Sequence, residues 1–305
     1  MERIKERIRM SKNKGLTFSV VFRANSLNYG EGTANISELK KFHRGNGDVY
    51  TFASRQSLRY DLVRLGNQFF DWNLDVVDKK QGVVQFKQDA TIEDSVEMDL
   101  FGYMKTKANT GATKRSAVAR LSHAIALEPY RSDLEFLNNM GLATRINEDA
   151  NLATLEQHMS YYTYTMTLDL SRVGIDQEVE LPKEEKAKRV KQLLEVVKFL
   201  NREIRGRQEN LAPLFIVGGV YPIPNPFFQG RIGVKEANYN EINLEPILDT
   251  LETSIFDHKV GEFTKIGYVK GIFDNEEEIS TLEGAGGVDE FFKDLSEQVE
   301  AYFEV

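Results

Sequence analysis

The segment Tyr161 to Leu170 (YYTYTMTLDL) constrains the fold more than any other part of the chain. Tyr162, Tyr164, Met166, Leu168 and Leu170 share one parity and Thr163, Thr165, Thr167 and Asp169 the other, so the run reads as a strand with one face on a core and one polar face. Its neighbours are also visible. Leu16 to Arg23 (LTFSVVFR), β-branched and aromatic, reads as a buried strand, and Pro213 to Val220 as another that ends in glycines. Two helices separate these strands. Ser54 is an N-cap candidate ahead of Leu58, Leu62 and Leu65, and a second amphipathic helix opens at Pro182 with Val190, Leu193, Leu194, Val197, Leu200 and Ile204 on its stripe.

Strand, helix, long excursion, strand, helix, strand is the order of a split βαβ, so the expectation is an α+β protein with a ferredoxin-like core and a large insertion after its first helix. The rest of the chain is read as a polar loop from 25 to 51, a strand at Val96–Tyr103 and a helical stretch at 117–142, centred on Ala117–Ala126, with a break at Pro129. Tyr221 to Pro226 holds three prolines and is irregular. A helix near 241–256, a strand near 266–273 and a last helix from Val288 to Phe303 follow. Gly218-Gly219 and Gly284–Gly287 read as turns.

Charge narrows the function classes. The 305 residues carry 39 Lys and Arg against 47 Asp and Glu, a formal charge of −8, which argues at first against a nucleic-acid binder. The average hides segregation: residues 1–64 hold 13 basic against 6 acidic side chains, and residues 236–305 hold 4 against 18. One basic and one acidic surface are expected. No cysteine is present, which excludes disulfides, thiolate metal sites and cysteine nucleophiles and fits a reducing compartment. The segment Met1–Met10 is basic without a signal peptide's apolar core, and no apolar run is long enough to span a bilayer. A cytoplasmic protein without a membrane partner is the expectation.

The helix opening at Ser54-Arg-Gln-Ser-Leu-Arg59 is the most informative segment. Its first turn offers backbone N–H groups and the positive dipole end, and Ser54, Gln56 and Ser57 with Arg55 and Arg59 add side chains suited to phosphate. An ordinary capped helix with solvated arginines is the alternative. The loop 105–116 adds Lys105, Lys107, Lys114 and Arg115 with no acid, and Lys40, Lys41 and Arg44 form a third basic cluster. Catalytic sets are sparse. His43, His123, His158 and His258 show no metal-ligand spacing, His123 reads as a packed histidine, and Asp48 or Asp99 would bind an ion only if distant acids converged on them. No P-loop or dinucleotide fingerprint occurs. No catalytic set, metal or cofactor is expected.

Taken in order, Asn25-Ser-Leu-Asn-Tyr-Gly-Glu31, Ser54-Arg-Gln-Ser-Leu-Arg59, Met98-Asp-Leu-Phe-Gly102, Ser122-His-Ala-Ile125 and Tyr161-Tyr-Thr-Tyr-Thr165 resemble the backbone subunit of type I CRISPR interference complexes. The sequence looks like the DevR-type variant of the Cas seven group, in the RAMP superfamily, found in type I-B systems. The likeness covers about 16 to 225. It implies a hand-shaped protein: an RRM-like palm (1–66 and 159–305), an inserted helical fingers domain (67–158) and a thumb-like hairpin near 205–230. Copies would form a helical oligomer along a CRISPR guide RNA, which pairs with target DNA, beside other Cascade subunits in antiviral defence. Ser54, Gln56 and Arg59 match the family's phosphate contacts, with Arg55 and Ser57 in the same turn. Asn25, Ser26 and Asn28 match its polar loop. The Tyr161 strand departs from an RRM in lacking an aromatic base-stacking consensus. The polarised charge suits head-to-tail assembly. The rival expectation is a RAMP-type endoribonuclease using Asp48 or His43.

Overall fold

The computed structural model describes residues 14–305 except 33, 81 and 108–110. The main sheet takes nine strands: β1 (Gly15–Asn25), β2 (Lys41–His43), β3 (Val49–Ala53), β4 (Ala119–Leu121), β5 (Ala124–Ala126), β6 (Met159–Asp169), β7 (Phe215–Tyr221), β8 (Thr264–Tyr268) and β9 (Ala285–Gly287). Among the described residues there are seven α-helices: α1 (Arg55–Phe70), α2 (Val96–Phe101), α3 (Met140–Ile146), α4 (Lys183–Lys198), α5 (Glu245–Glu252), α6 (Glu276–Ser280) and α7 (Val288–Phe303).

The sheet runs β9-β8-β7-β1-β6-β5-β3-β2, with β4 also paired to β6. Within β7-β1-β6-β5 every neighbouring pair is antiparallel, and β1 lies against β6 from Gly15 opposite Asp169 to Asn25 opposite Met159. α4 carries the chain from β6 across β1 to β7, whereas α1 leaves from β3 and the chain rejoins the sheet at β4 and, beside β3, at β5.

The alternation read in β6 sorts the two faces. Phe18, Val20 and Phe22 of β1 and Tyr162, Tyr164 and Met166 of β6 lie in one core with Leu58 and Leu62 of α1, Val190 and Leu193 of α4, and Phe292 and Leu295 of α7. The polar face is buried as well, which the sequence reading did not anticipate. Thr17 Oγ1 donates to Thr167 Oγ1 at 3.3 Å, Ser19 and Thr165 share a 2.6 Å hydroxyl bond, and all four residues are buried. Paired hydroxyls satisfy one another where water is excluded. Further along that face Val21, Tyr161, Phe215 and Val217 enter a second core with Phe228, Ile242, Ile247 and Phe273 from the acidic C-terminal third. That third is therefore a cover for the sheet. Its last helix also matches the lysines of α4: Lys183 pairs with Glu304, Lys191 with Glu300 and Lys198 with Asp289.

Several local expectations are corrected. Val96–Phe101 is a helix because Ser95 Oγ accepts the Met98 N–H (3.3 Å) and Gly102, at φ 71°, ends it. Ala117–Ala126 is not helical: Ala124 faces Ala53 and Ala126 faces Tyr162 across strand pairs, and this tertiary pairing overrides alanine's helix preference. α4 ends at Lys198, and Ile204 belongs to a hairpin (Asn201–Ile204 with Arg207–Asn210) turned by Arg205 and Gly206 at positive φ. Gly218 and Gly219 lie inside β7, where a Cβ on Gly219 would meet the Phe263 carbonyl oxygen at 1.9 Å. The polar loop carries β2 and part of β3, and residues 285–287 form β9.

The stretch 67–158 holds more strand than helix, and it returns to the main sheet at β4 and β5. Before that return, Val76, Ile92, Met98 and Tyr103 make a small separate core. After it, an arm extends: antiparallel strands Asp133–Asn138 and Leu152–Gln157 with α3 between them, exposing Phe136 (61%) and Ile146 (72%). The hairpin found near 205–230 is Asn201–Ile204 paired with Arg207–Asn210. Arg202 ties it to Leu27 O (2.8 Å) and Asp61 Oδ2 (2.7 Å), and Arg207 to Asn25 O (3.2 Å).

Candidate nucleic-acid interface

The loop after β1 shapes the start of α1. Asn28 Oδ1 accepts the Ser54 N–H at 3.0 Å, Ser54 Oγ accepts the Ser57 N–H at 3.2 Å, and Ser57 Oγ donates to Ser54 O at 2.8 Å. The Arg55 N–H is taken at 3.1 Å by His123 Nδ1, from the segment between β4 and β5. Most of the helix's orphan donors are thus already satisfied, and among the described residues the Gln56 N–H is the first-turn amide left without a protein acceptor. What this turn still offers to an anion is that amide, the helix dipole, and the exposed side chains of Arg55 and Gln56.

His123 joins this end of α1 to an aromatic group. Its Nδ1 accepts a backbone N–H, so the neutral ring carries its proton on Nε2. Burial, then the positive charges of Arg55 and Lys40, hold its pKa below the ordinary 6.5. The ring stands edge-on to Phe52 at 5.2 Å and to Phe42 at 5.8 Å, and those two rings stack at 4.0 Å. Beside them opens a cleft of about 830 Å³ lined by Phe42, Tyr50 and Ile125 on the sheet side, by the 229–239 segment opposite, and by Arg44 and Arg131.

The sequence-derived residues divide sharply. Ser54, Arg55, Gln56, Ser57, Asn28 and Lys40 meet around the start of α1, and Arg44 is exposed and lines the cleft. Arg59 turns to Glu97 (2.7 Å) and covers the Phe101 ring, and Lys41 pairs with Glu156 at 2.7 Å. Asn25 makes backbone bonds to Glu209 and Arg207, and Ser26 is buried at φ 56°, bonding Asn25, Gln157 and His158. Lys105 is buried, donating to Ala90 O at 2.8 Å. Arg115 is buried too: it donates to Asp99 Oδ1 at 2.6 Å and Arg172 O at 2.9 Å, while Arg189 takes Asp99 Oδ2 at 3.0 Å. Lys105 and Arg115 are therefore internal struts, which corrects their place in a basic surface loop. Lys114 is exposed, and the Lys107 side chain lies outside the described residues.

Asp99 is consumed by two arginines, and Asp48 is held in a turn by Asn46 (2.7 Å). His158 is buried against Thr51 (2.7 Å), burial lowering its pKa, and His258 pairs with Glu262 (2.9 Å). No group of three His, Asp or Glu among the described residues is placed to hold a metal ion. No helix there is long and apolar enough to cross a membrane. Sequence reasoning missed that Asn28 organises the cap and that His123, Phe42 and Phe52 belong to the same surface. The motif Ser122-His-Ala-Ile125 was the available signal, obscured by its helical reading.

Fold and surface together define a mixed α+β protein, its sheet covered on both faces, with an exposed arginine and a free amide at the start of its first long helix. The family described as CRISPR-associated negative auto-regulator DevR/Csa2 matches residues 16–242, and the chain belongs to it. Among curated proteins none matches. The fold is similar to that of a chain described as "CRISPR RNA-guided surveillance complex, pre-nicking", with TM-score 0.58 and 11% identity over 95% of this chain and 99% of that one. A second chain, described as "CRISPR RNA-guided surveillance complex", has TM-score 0.49 and 12% identity over 94% and 99%.

Proposed function

We propose that this DevR/Csa2 member is the non-catalytic backbone subunit of a type I-B Cascade, in the Cas seven group: it binds a CRISPR guide RNA and oligomerises along it for target DNA recognition in the cytoplasm. The observation that carries this reading is the start of α1. Asn28, Ser54 and His123 fix its backbone, leaving the Gln56 amide with the Arg55 and Gln56 side chains facing out; by the resemblance Gln56 matches a guide-phosphate position of the family, and Arg55 is added by its place in the same turn. A backbone donor and one arginine grip a sugar-phosphate chain without reading its sequence, as a subunit coating any guide requires.

In this reading β1, β5, β6 and β7 with α1 and α4 are the RRM-like palm, and the hairpins before β4 are the fingers. The thumb is the hairpin near 205–230, and the arm at 133–157, within the fingers insertion, exposes Phe136, Leu142 and Ile146 as apolar surface that a neighbouring copy would cover. The test is co-expression with a guide RNA and analysis of what co-purifies. The expected product is a ribonucleoprotein with a raised 260/280 nm absorbance ratio and several copies per guide. A protein that emerges free of RNA and binds none at low salt refutes the reading. Metal-dependent RNA cleavage abolished by Asp48→Ala would replace it with the endoribonuclease.

A further inference from the structure

The cleft beside His123 lies on the sheet face opposite α1, α4 and α7. Ala53, Ala124, Ala126 and Tyr162 point into the main core, so the alternate positions Phe52, Ile125 and Thr163 point the other way, and Phe42 joins them by stacking on Phe52. RNA-binding sheets of this topology commonly stack bases on aromatics of their central strands. Here the central positions are Thr17, Ser19, Thr165 and Thr167, buried and bonded to one another. Aromatic surface appears instead toward the sheet edge: Phe42 of the edge strand β2 is 39% exposed while resting on Phe52 of β3, and the aliphatic Ile125, paired with Phe52, is 38% exposed. Open apolar ring surface in a cleft of about 830 Å³ has room for a flat heterocycle.

What ties this cleft to the phosphate site is His123. One imidazole touches both, its Nδ1 on the Arg55 N–H and its ring edge on Phe42 and Phe52. A nucleotide whose phosphate sits at Arg55 and Gln56 therefore has its base one side chain away from the Phe42 face. We propose that the cleft takes an unpaired nucleobase of the bound RNA, stacked on Phe42, with the stacking task moved from the central strands to the sheet edge. This rests on the RNA-binding reading above and adds to it a base contact that every nucleobase can make, since each has a π face.

The test compares two single-stranded RNAs of equal length and charge, one intact and one carrying abasic sites, titrated against the unmodified full chain. The intact strand is expected to bind about 5- to 150-fold more tightly, the range that stacking of one base supplies. Phe42→Ala should erase the difference, and Phe42→Trp should preserve it. That variant also reports directly: the single native tryptophan, Trp72, is buried, so quenching of the new one by added RNA reads the cleft. Equal affinity of the unmodified chain for intact and abasic strands overturns the proposal and leaves RNA binding standing. Absence of binding to either strand overturns both.

Discussion

Two arginine sites look alike in the sequence and differ in the molecule. Arg55 and Arg115 each sit in a basic, polar stretch that suggests phosphate contact. Arg55 begins a helix whose backbone is held by Asn28 and His123, and its side chain is exposed. Arg115 ends a hairpin strand and is buried, its donors spent on Asp99 and on carbonyls of Ile175 and Arg172. The difference is the company each keeps. A buried carboxylate with two arginines fixes the hairpin against α4, and an arginine without such a partner remains available to a ligand.

Removing the carboxylate should produce the largest effect. Asp99→Ala strands Arg115 and Arg189 without their counter-charge and is expected to cost about 3–5 kcal/mol in denaturant unfolding. A loss below about 1 kcal/mol would mean that water already reaches the cluster, and would blur the contrast. Next comes the frame of the exposed site. Ser54→Ala removes the acceptor for the Ser57 N–H and should cost about 1 kcal/mol, measured the same way.

A smaller effect follows from the histidines. His123 and His158 are held below their ordinary pKa of 6.5, so the unfolded chain takes up protons before the folded one as pH falls. Their contribution is complete above pH 6.5 and is lost as pH drops from there toward their folded values. Thermal unfolding scanned from pH 7.5 to 5.5 should show a falling midpoint, less steep in His123→Gln. A midpoint that rises toward pH 5.5 would contradict both assignments.

How much was legible depended on how local the determinant was. The Ser54 cap and the last helix follow from residues adjacent in sequence and appear as read, whereas the β6 alternation gives its core face alone, the polar face being buried too. The Ala117–Ala126 strands were hidden because alanine's helix preference is local while the pairing with Ala53 and Tyr162 is not. Arg115 was misplaced for the same reason, its partners lying 16 to 60 positions away. The acidic third was expected to offer a docking surface; much of it covers the sheet, and α7 matches lysines of α4. Five of the basic residues in 1–64 fall at 1–13, outside the described residues.

The central claim is that the start of α1 holds RNA phosphate, and the salt dependence of RNA binding tests it most directly. For the unmodified chain, log affinity should fall linearly with log salt. In Arg55→Ala the slope should be shallower by about 0.7, one phosphate contact on a single strand, while stability stays within about 0.5 kcal/mol. A slope and affinity identical to those of the unmodified chain would contradict the account.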